Sequence, residues 1–175
     1  MFPGDGLDPE LADILISSKT TALPDEALTE IGRVVVNFVI LESELFVLIH
    51  GLLGTKPEVS RIVTSELSFR NLVDLSASLM KQVYGKKEFD AYKKVAIFAI
   101  EAEEKRNRII HSIWGRQSGE GKIAVRTKHT AKRGKGLDFQ REEFTIVDIS
   151  NIAHDISRAA YAVSRFRESL GYEWV

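Results

Sequence analysis

The stretch 34–53, VVVNFVILESELFVLIHGLL, is the most apolar part of the chain, and its reading decides the fold. It is long enough to cross a bilayer as a helix. Asn37, Glu42, Glu44 and His50 interrupt it, however, and such groups are costly in hydrocarbon. The run therefore reads as a buried helix. Val34, Phe38, Leu41, Leu45, Leu48 and Leu52 recur at helical spacing and form a core stripe. Glu42 lies on the edge of that stripe beside Ile49, where an acid requires a partner. Val36, Ile40 and Val47, around Ser43, make the far side apolar too. A helix apolar all round needs burial on both sides, which predicts a homodimer.

With 175 residues, 44% of them hydrophobic and 28% charged, the chain fits a single domain over 1–175 with a sizeable core. The absence of cysteine excludes a disulfide framework and thiolate chemistry. Nothing at the amino terminus has the order of a signal peptide, so a cytoplasmic location and no membrane partner are expected. Four long segments carry helical periodicity. Helix 1 is expected over 23–54, opened by Pro24 with Asp25 and Glu26, after a short helix from Pro9. Helix 2 follows Pro57 over 57–84, with a break near Ser65 to Ser68. Helix 3 covers 86–114 and stops at Gly115, and helix 4 covers 146–170 with Ile149, Ile152, Ile156, Ala160 and Val163 on one stripe. Short connections make the first three antiparallel neighbours, so the expected fold class is mainly α, an up-and-down four-helix bundle.

Residues 115–145 break this pattern. They hold eight Lys/Arg against four acids, a local charge of +4 in a chain of net charge −1, and five of the twelve glycines. A connection of that length without structure of its own is uncommon in a compact domain. KIAVRTKHTA (122–131) alternates, and GLDFQREEFT (136–145) can pair with it across KRGKG (132–136). A basic β-hairpin inserted between helices 3 and 4 is the expected arrangement, and its Lys122, Arg126, Lys128, Lys132 and Arg133 suit phosphate contacts. A solvated arm whose lysines keep an edge strand from aggregating would show the same composition.

EAEEKRNRIIHSIWG (101–115) is the stretch that carries chemistry. On a helical wheel Tyr92, Ala96, Ala99, Ile110 and Ile113 mark a core stripe, and Glu103 and Arg106 fall on it, where a solvated charge is out of place. Asn107 and His111 share the adjoining flank. Ordinary four-apart pairs, Glu101 with Lys105 and Glu104 with Arg108, together with the helix dipole account for the remaining bases. They do not account for an arginine on the core stripe.

Arg106, Asn107, three further residues and His111 resemble the Arg-polar-x-x-x-His signature of the HEPN family, placed near the end of the third helix of a four-helix bundle. The resemblance implies a metal-independent RNA endonuclease of the toxin or defence type, hence a hydrolase in a toxin–antitoxin setting, with no cofactor. RNA or a nucleotide, a second copy of the chain and a cognate antitoxin protein are the partners it implies. It also implies a composite site across a dimer. The basic hairpin departs from a minimal HEPN bundle.

The chemistry explains why such residues would be wanted. When a ribose 2′-hydroxyl attacks the neighbouring phosphate, one group must move a proton and a fixed cation must stabilise the charge developing on phosphate oxygens. His111 suits the first role and Arg106 the second, with Asn107 orienting the histidine or holding an oxygen. Five positions along an ideal helix separate two side chains by about 140° and about 7.5 Å of rise, so the pair converges poorly within one chain. Glu42, at the height of Arg106, is a supporting residue that orients it, with Glu103 as competitor; a purely architectural ion pair is the alternative. GRQSGEGKI (115–123) fails as a phosphate-binding loop on spacing and on its preceding helix. His50, His129 and His154 lack metal-ligand spacing: His50 reads as a helix-end cap and His154 as a half-exposed surface residue. Arg70 and Asn71 fall at the motif's end of the bundle and read as surface residues. Two further classes of function stay open: a non-catalytic module binding nucleotide, RNA or protein, and a structural helical dimer.

Overall fold

The computed structural model describes residues 23–115, 124–132 and 136–173, and the fold is mainly helical. The helix expected from Pro9, and Lys122 and Arg133, lie outside the described residues.

Helix α1 spans Asp25–Leu53. Pro24, in extended conformation, precedes it, and Asp25 and Glu26 face the positive end of its dipole. It ends where Gly54 turns left-handed (φ 59°) and its N–H reaches back to the carbonyls of His50 and Gly51, a conformation any side chain would resist. Helix α2, Pro57–Thr64, has proline in its first turn, where the missing N–H costs nothing. The chain then breaks, as its serines foretold, and Ser68 caps α3, Phe69–Val83, by accepting from the Asn71 N–H at 3.3 Å. Helix 2 of the sequence reading is thus two helices.

Helix α4 runs Lys86–Ile110, four residues short of the expected end. Ile113–Gly115 instead form strand β1, suited to a β-branched and an aromatic residue in succession. Strand β2, Ala124–Lys132, pairs antiparallel with β1 (Ile113 opposite Thr127) and with β3, Gly136–Phe144 (Ala124 opposite Phe144, Lys132 opposite Gly136). Thr145 then opens α5, Ile146–Ser169, through a reciprocal cap: its hydroxyl accepts from the Asp148 N–H while Asp148 accepts from the Thr145 N–H at 2.8 Å.

The four long helices α1, α3, α4 and α5 pack on one another, with α1 against α5 as the principal seam. The whole expected stripe of α1, Val34 to Leu52, is buried. It meets Phe69 and Val73 of α3, Ala99, Ala102 and Ile109 of α4, and the Ile149–Val163 stripe of α5. Each fully buried leucine contributes about 1.5–3 kcal/mol over an exposed one. At the other end Leu48, Leu52, Met80 and Tyr92 form a second cluster, where the Tyr92 hydroxyl bonds Ser76 and the Val73 carbonyl. Burial pushes that phenol up to about 12.

The far side of α1 divides. Val47 is buried on the half that α2 packs along, where His50 Nδ1 meets Ser60 Oγ at 2.9 Å. Val36 and Ile40 are 59% and 47% exposed, and Val35, Val39 and Leu28 extend the exposed apolar stripe. Among the described residues α1 is the one helix long and apolar enough to cross a membrane, and its core face is occupied by protein.

Candidate active site

Arg106, Asn107 and His111 come together at the carboxyl end of α4. Arg106 Nη1 donates to Asn107 Oδ1 at 2.9 Å and lies 3.2 Å from His111 Nε2. A guanidinium can only donate, so this contact is a hydrogen bond only where Nε2 carries no proton. The guanidinium also lies over the Phe38 ring, 5.1 Å from its centroid, which explains how a charge tolerates the core stripe: its planar face is covered by a ring while its edge donates. His111 is exposed, and Arg106 and Asn107 are half-buried.

The poor convergence expected from an ideal wheel does not occur. His111 is the cap residue of α4, with φ −94° and ψ 36°, so it has left the helical screw, and the long arginine spans the remaining gap. The terminus is tied on both sides of the histidine. The Trp114 indole N–H donates to the Ile109 carbonyl at 3.0 Å, and its ring meets Phe144 edge-on at 5.6 Å. Ser112 Oγ donates to the Arg108 carbonyl at 2.8 Å. Trp114 had been placed inside a helix and given no role in the sequence reading.

The supporting acids behave differently from expectation. Glu103 is bonded to Arg70 Nε at 2.8 Å, and Arg70 Nη2 reaches Glu104 at 2.9 Å. Arg70, read as a plain surface residue, thus takes the competitor acid away from Arg106. Glu42 makes no ion pair with Arg106 within 4.0 Å, yet it feels its charge: burial raises the Glu42 carboxyl above its ordinary value, Arg106 pulls it down and Glu103 pushes it up. The four-apart pairs are not made either. Lys105 reaches Asp155 on α5 at 2.5 Å, and Arg108 reaches Glu142 on β3 at 2.9 Å while lying over Phe144. Long flexible bases choose carboxylates on neighbouring elements, which periodicity cannot see.

The arm's basic residues divide by what is described. Arg126, Lys128 and Lys132 lie on β2 by backbone register, and their side chains lie outside the described residues. His50 bonds Ser60 rather than capping a helix end, and His154 is exposed. Among the described residues no three His, Asp or Glu side chains cluster in a way that could hold a metal ion. One buried pair had no signal in the sequence reading: Arg167 of α5 donates through Nε to Glu44 of α1 at 2.9 Å, and also bonds the Tyr172 carbonyl. A glutamate in an apolar run and an arginine in a last helical turn were the available hints.

No protein-family model, no curated protein and no solved structure matches this chain.

Proposed function

We propose that this chain is a HEPN-like, metal-independent RNA endonuclease of the toxin or defence type, built on an up-and-down four-helix bundle with a basic β-hairpin between helices 3 and 4. The observation that carries the reading is the Arg106–His111 contact at 3.2 Å, made by an arginine with no carboxylate partner. In the reaction Arg106 turns from His111 to the phosphate, and the Nε2 so freed takes the proton of a ribose 2′-hydroxyl, whose oxygen bonds to the adjacent phosphorus as the bond to the 5′-oxygen breaks and that oxygen takes a proton from water. The products are a 2′,3′-cyclic phosphate and a 5′-hydroxyl end. Arg106 neutralises the negative charge that grows on the phosphoryl oxygens, and Asn107 holds the guanidinium in place. Glu42 tempers the local positive charge as a positioning residue, and Glu103 acts one step back, through Arg70.

The homodimer is proposed from the exposed Val36–Ile40 stripe, which would bring two such sites toward a shared cleft. Lys122, Arg126, Lys128, Lys132 and Arg133 clamp the RNA backbone. Their connectivity supports this, since β1 begins two residues after His111.

A binding-only module is the second reading. It is favoured by the engagement of His111 Nε2 with Arg106, which occupies the lone pair a general base would use. Incubation of the purified chain with single-stranded RNA in EDTA separates the two. Accumulation of 2′,3′-cyclic phosphate ends supports the nuclease; RNA retained intact by a chain that binds it supports the module.

A further inference from the structure

Eight arginine side chains are described, and six are ion-paired: Arg33, Arg70, Arg108, Arg158, Arg165 and Arg167. Among the described residues, Arg61 and Arg106 have no carboxylate within 4.0 Å. Arg61 lines an open groove of about 500 Å³ between α1 and α2, within the range of about 300–1,000 Å³ typical of small-molecule sites. Glu42, Ser43, Phe46, Arg61, Thr64 and Ser65 line it. Arg106 adjoins it through the charge it exerts on Glu42, and through Phe38, one turn before Glu42 on α1.

Resting on the ribonuclease reading, we propose that this groove is a nucleotide subsite, holding the base and phosphate next to the bond that the Arg106–His111 pair cleaves. The base stacks on Phe46. Arg61 sits 6.0 Å from that ring's centroid, at the outer limit of a cation–π contact, and is exposed and free of ion pairs, so it can swing to cover a flat base or hold its phosphate. The Ser43 and Ser65 hydroxyls donate to backbone carbonyls of their own helices at 2.9 and 3.2 Å, which leaves their lone pairs open to base or ribose donors. The Glu42 carboxylate accepts from an exocyclic amine, so cytosine, adenine or guanine is favoured there over uracil. An apolar helix would gain nothing from the acid and the unpaired cation. A single-stranded nucleotide uses both, with its π-face on the phenylalanine.

The test uses the full chain and a fluorescently labelled 2′-O-methyl tetranucleotide, which cannot be cleaved, with binding followed by anisotropy. Arg61→Gln and Phe46→Leu should each weaken binding by roughly tenfold, the low end of what a stacked base contributes. Placing an abasic residue at each position in turn should reveal one position where wild type loses about as much and Phe46→Leu loses nothing further. Arg61→Gln alters an exposed side chain, so it reports even if Phe46→Leu folds poorly. Wild-type affinity in Arg61→Gln, or additive losses from Phe46→Leu and every abasic substitution, overturns the subsite. Cleavage is scored separately on unmodified RNA. A chain that binds through Arg61 and Phe46 but never cleaves keeps the subsite and loses the nuclease; one that cleaves with both substitutions silent does the reverse.

Discussion

Arg167 and Arg106 occupy comparable positions, each in the last turns of a long helix and each partly withdrawn from water, and they are met by opposite surroundings. Arg167 is 3% exposed at its side chain and has Glu44, 9% exposed, at 2.9 Å. Arg106 has a ring beneath it, an amide and an imidazole at its edge, and among the described residues no carboxylate within 4.0 Å. A buried pair is self-sufficient: its charge is spent inside the fold, and its removal exposes the cost of desolvating the partner left behind. An arginine whose hydrogen-bonding partners are neutral, with no ion-paired carboxylate among the described residues, keeps more of its field available to an incoming anion. The difference separates an arginine that fastens α5 to α1 from one that can bind phosphate.

The largest effect should come from breaking the fastened one. Arg167→Ala is expected to destabilise the fold by roughly 3–5 kcal/mol in urea unfolding, because the guanidinium that faces the buried Glu44 carboxylate is lost. Replacing both partners at once, Glu44→Leu with Arg167→Met, should return most of that loss. A cost under about 1 kcal/mol for Arg167→Ala would erase the distinction drawn between the two arginines, since surface pairs cost no more.

His111→Ala, at the other end of the comparison, should leave unfolding within about 0.5 kcal/mol of wild type, as for most exposed positions. Its rate of RNA cleavage should fall by about 10²-fold or more. Undiminished cleavage would move the chemistry elsewhere. Smaller again is Arg70→Ala, which releases Glu103 to turn toward Arg106. The expected outcome is severalfold weaker RNA binding with little change in stability. Unchanged binding would show that Arg106 stays available without Arg70's help.

The smallest effect concerns Glu42. Burial raises its carboxyl above the ordinary 4.5, so the folded chain holds its proton to higher pH than the unfolded one. Stability therefore falls as pH rises from the unfolded value through the folded one, and stays reduced above it. Glu42→Gln should be slightly more stable than wild type at neutral pH, with the advantage disappearing below about pH 4. The opposite sign would mean that Arg106 outweighs burial and fastens Glu42 much as Arg167 fastens Glu44.

The core was legible because it depends on period alone: the α1 stripe from Val34 to Leu52 and the α5 stripe from Ile149 to Val163 are both buried as the spacing implied. The break before Ser68 was legible for a local reason too, since its hydroxyl competes for a backbone donor. The end of α4 was not. Its last expected turn is surrendered to β1 because Ile113–Gly115 find a strand partner far along the chain, a non-local gain invisible to a wheel. The same limit governs the charges. Spacing placed Arg106, Asn107 and His111 on adjoining flanks, but the arginine's reach and the histidine's departure from the helix brought them together. Which acid serves which base was decided between helices, as Arg70, Lys105 and Arg108 all show.

The indole of Trp114 has a consequence for the histidine beside it. Its N–H closes onto the Ile109 carbonyl and its ring leans on Phe144, so the five-residue step from 109 to 114 is splinted across its middle. The contact restrains the backbone on either side of His111 when the chain folds, which lowers the entropy lost in holding that residue in one arrangement. On the ribonuclease proposal, Trp114 would act as a positioning residue for His111. Loosening the splint, as in Trp114→Phe, which keeps a ring against Phe144 but gives up the hydrogen bond, should reduce turnover while sparing affinity. The same splint joins β1 and β3, through Trp114 and Phe144, to the end of α4.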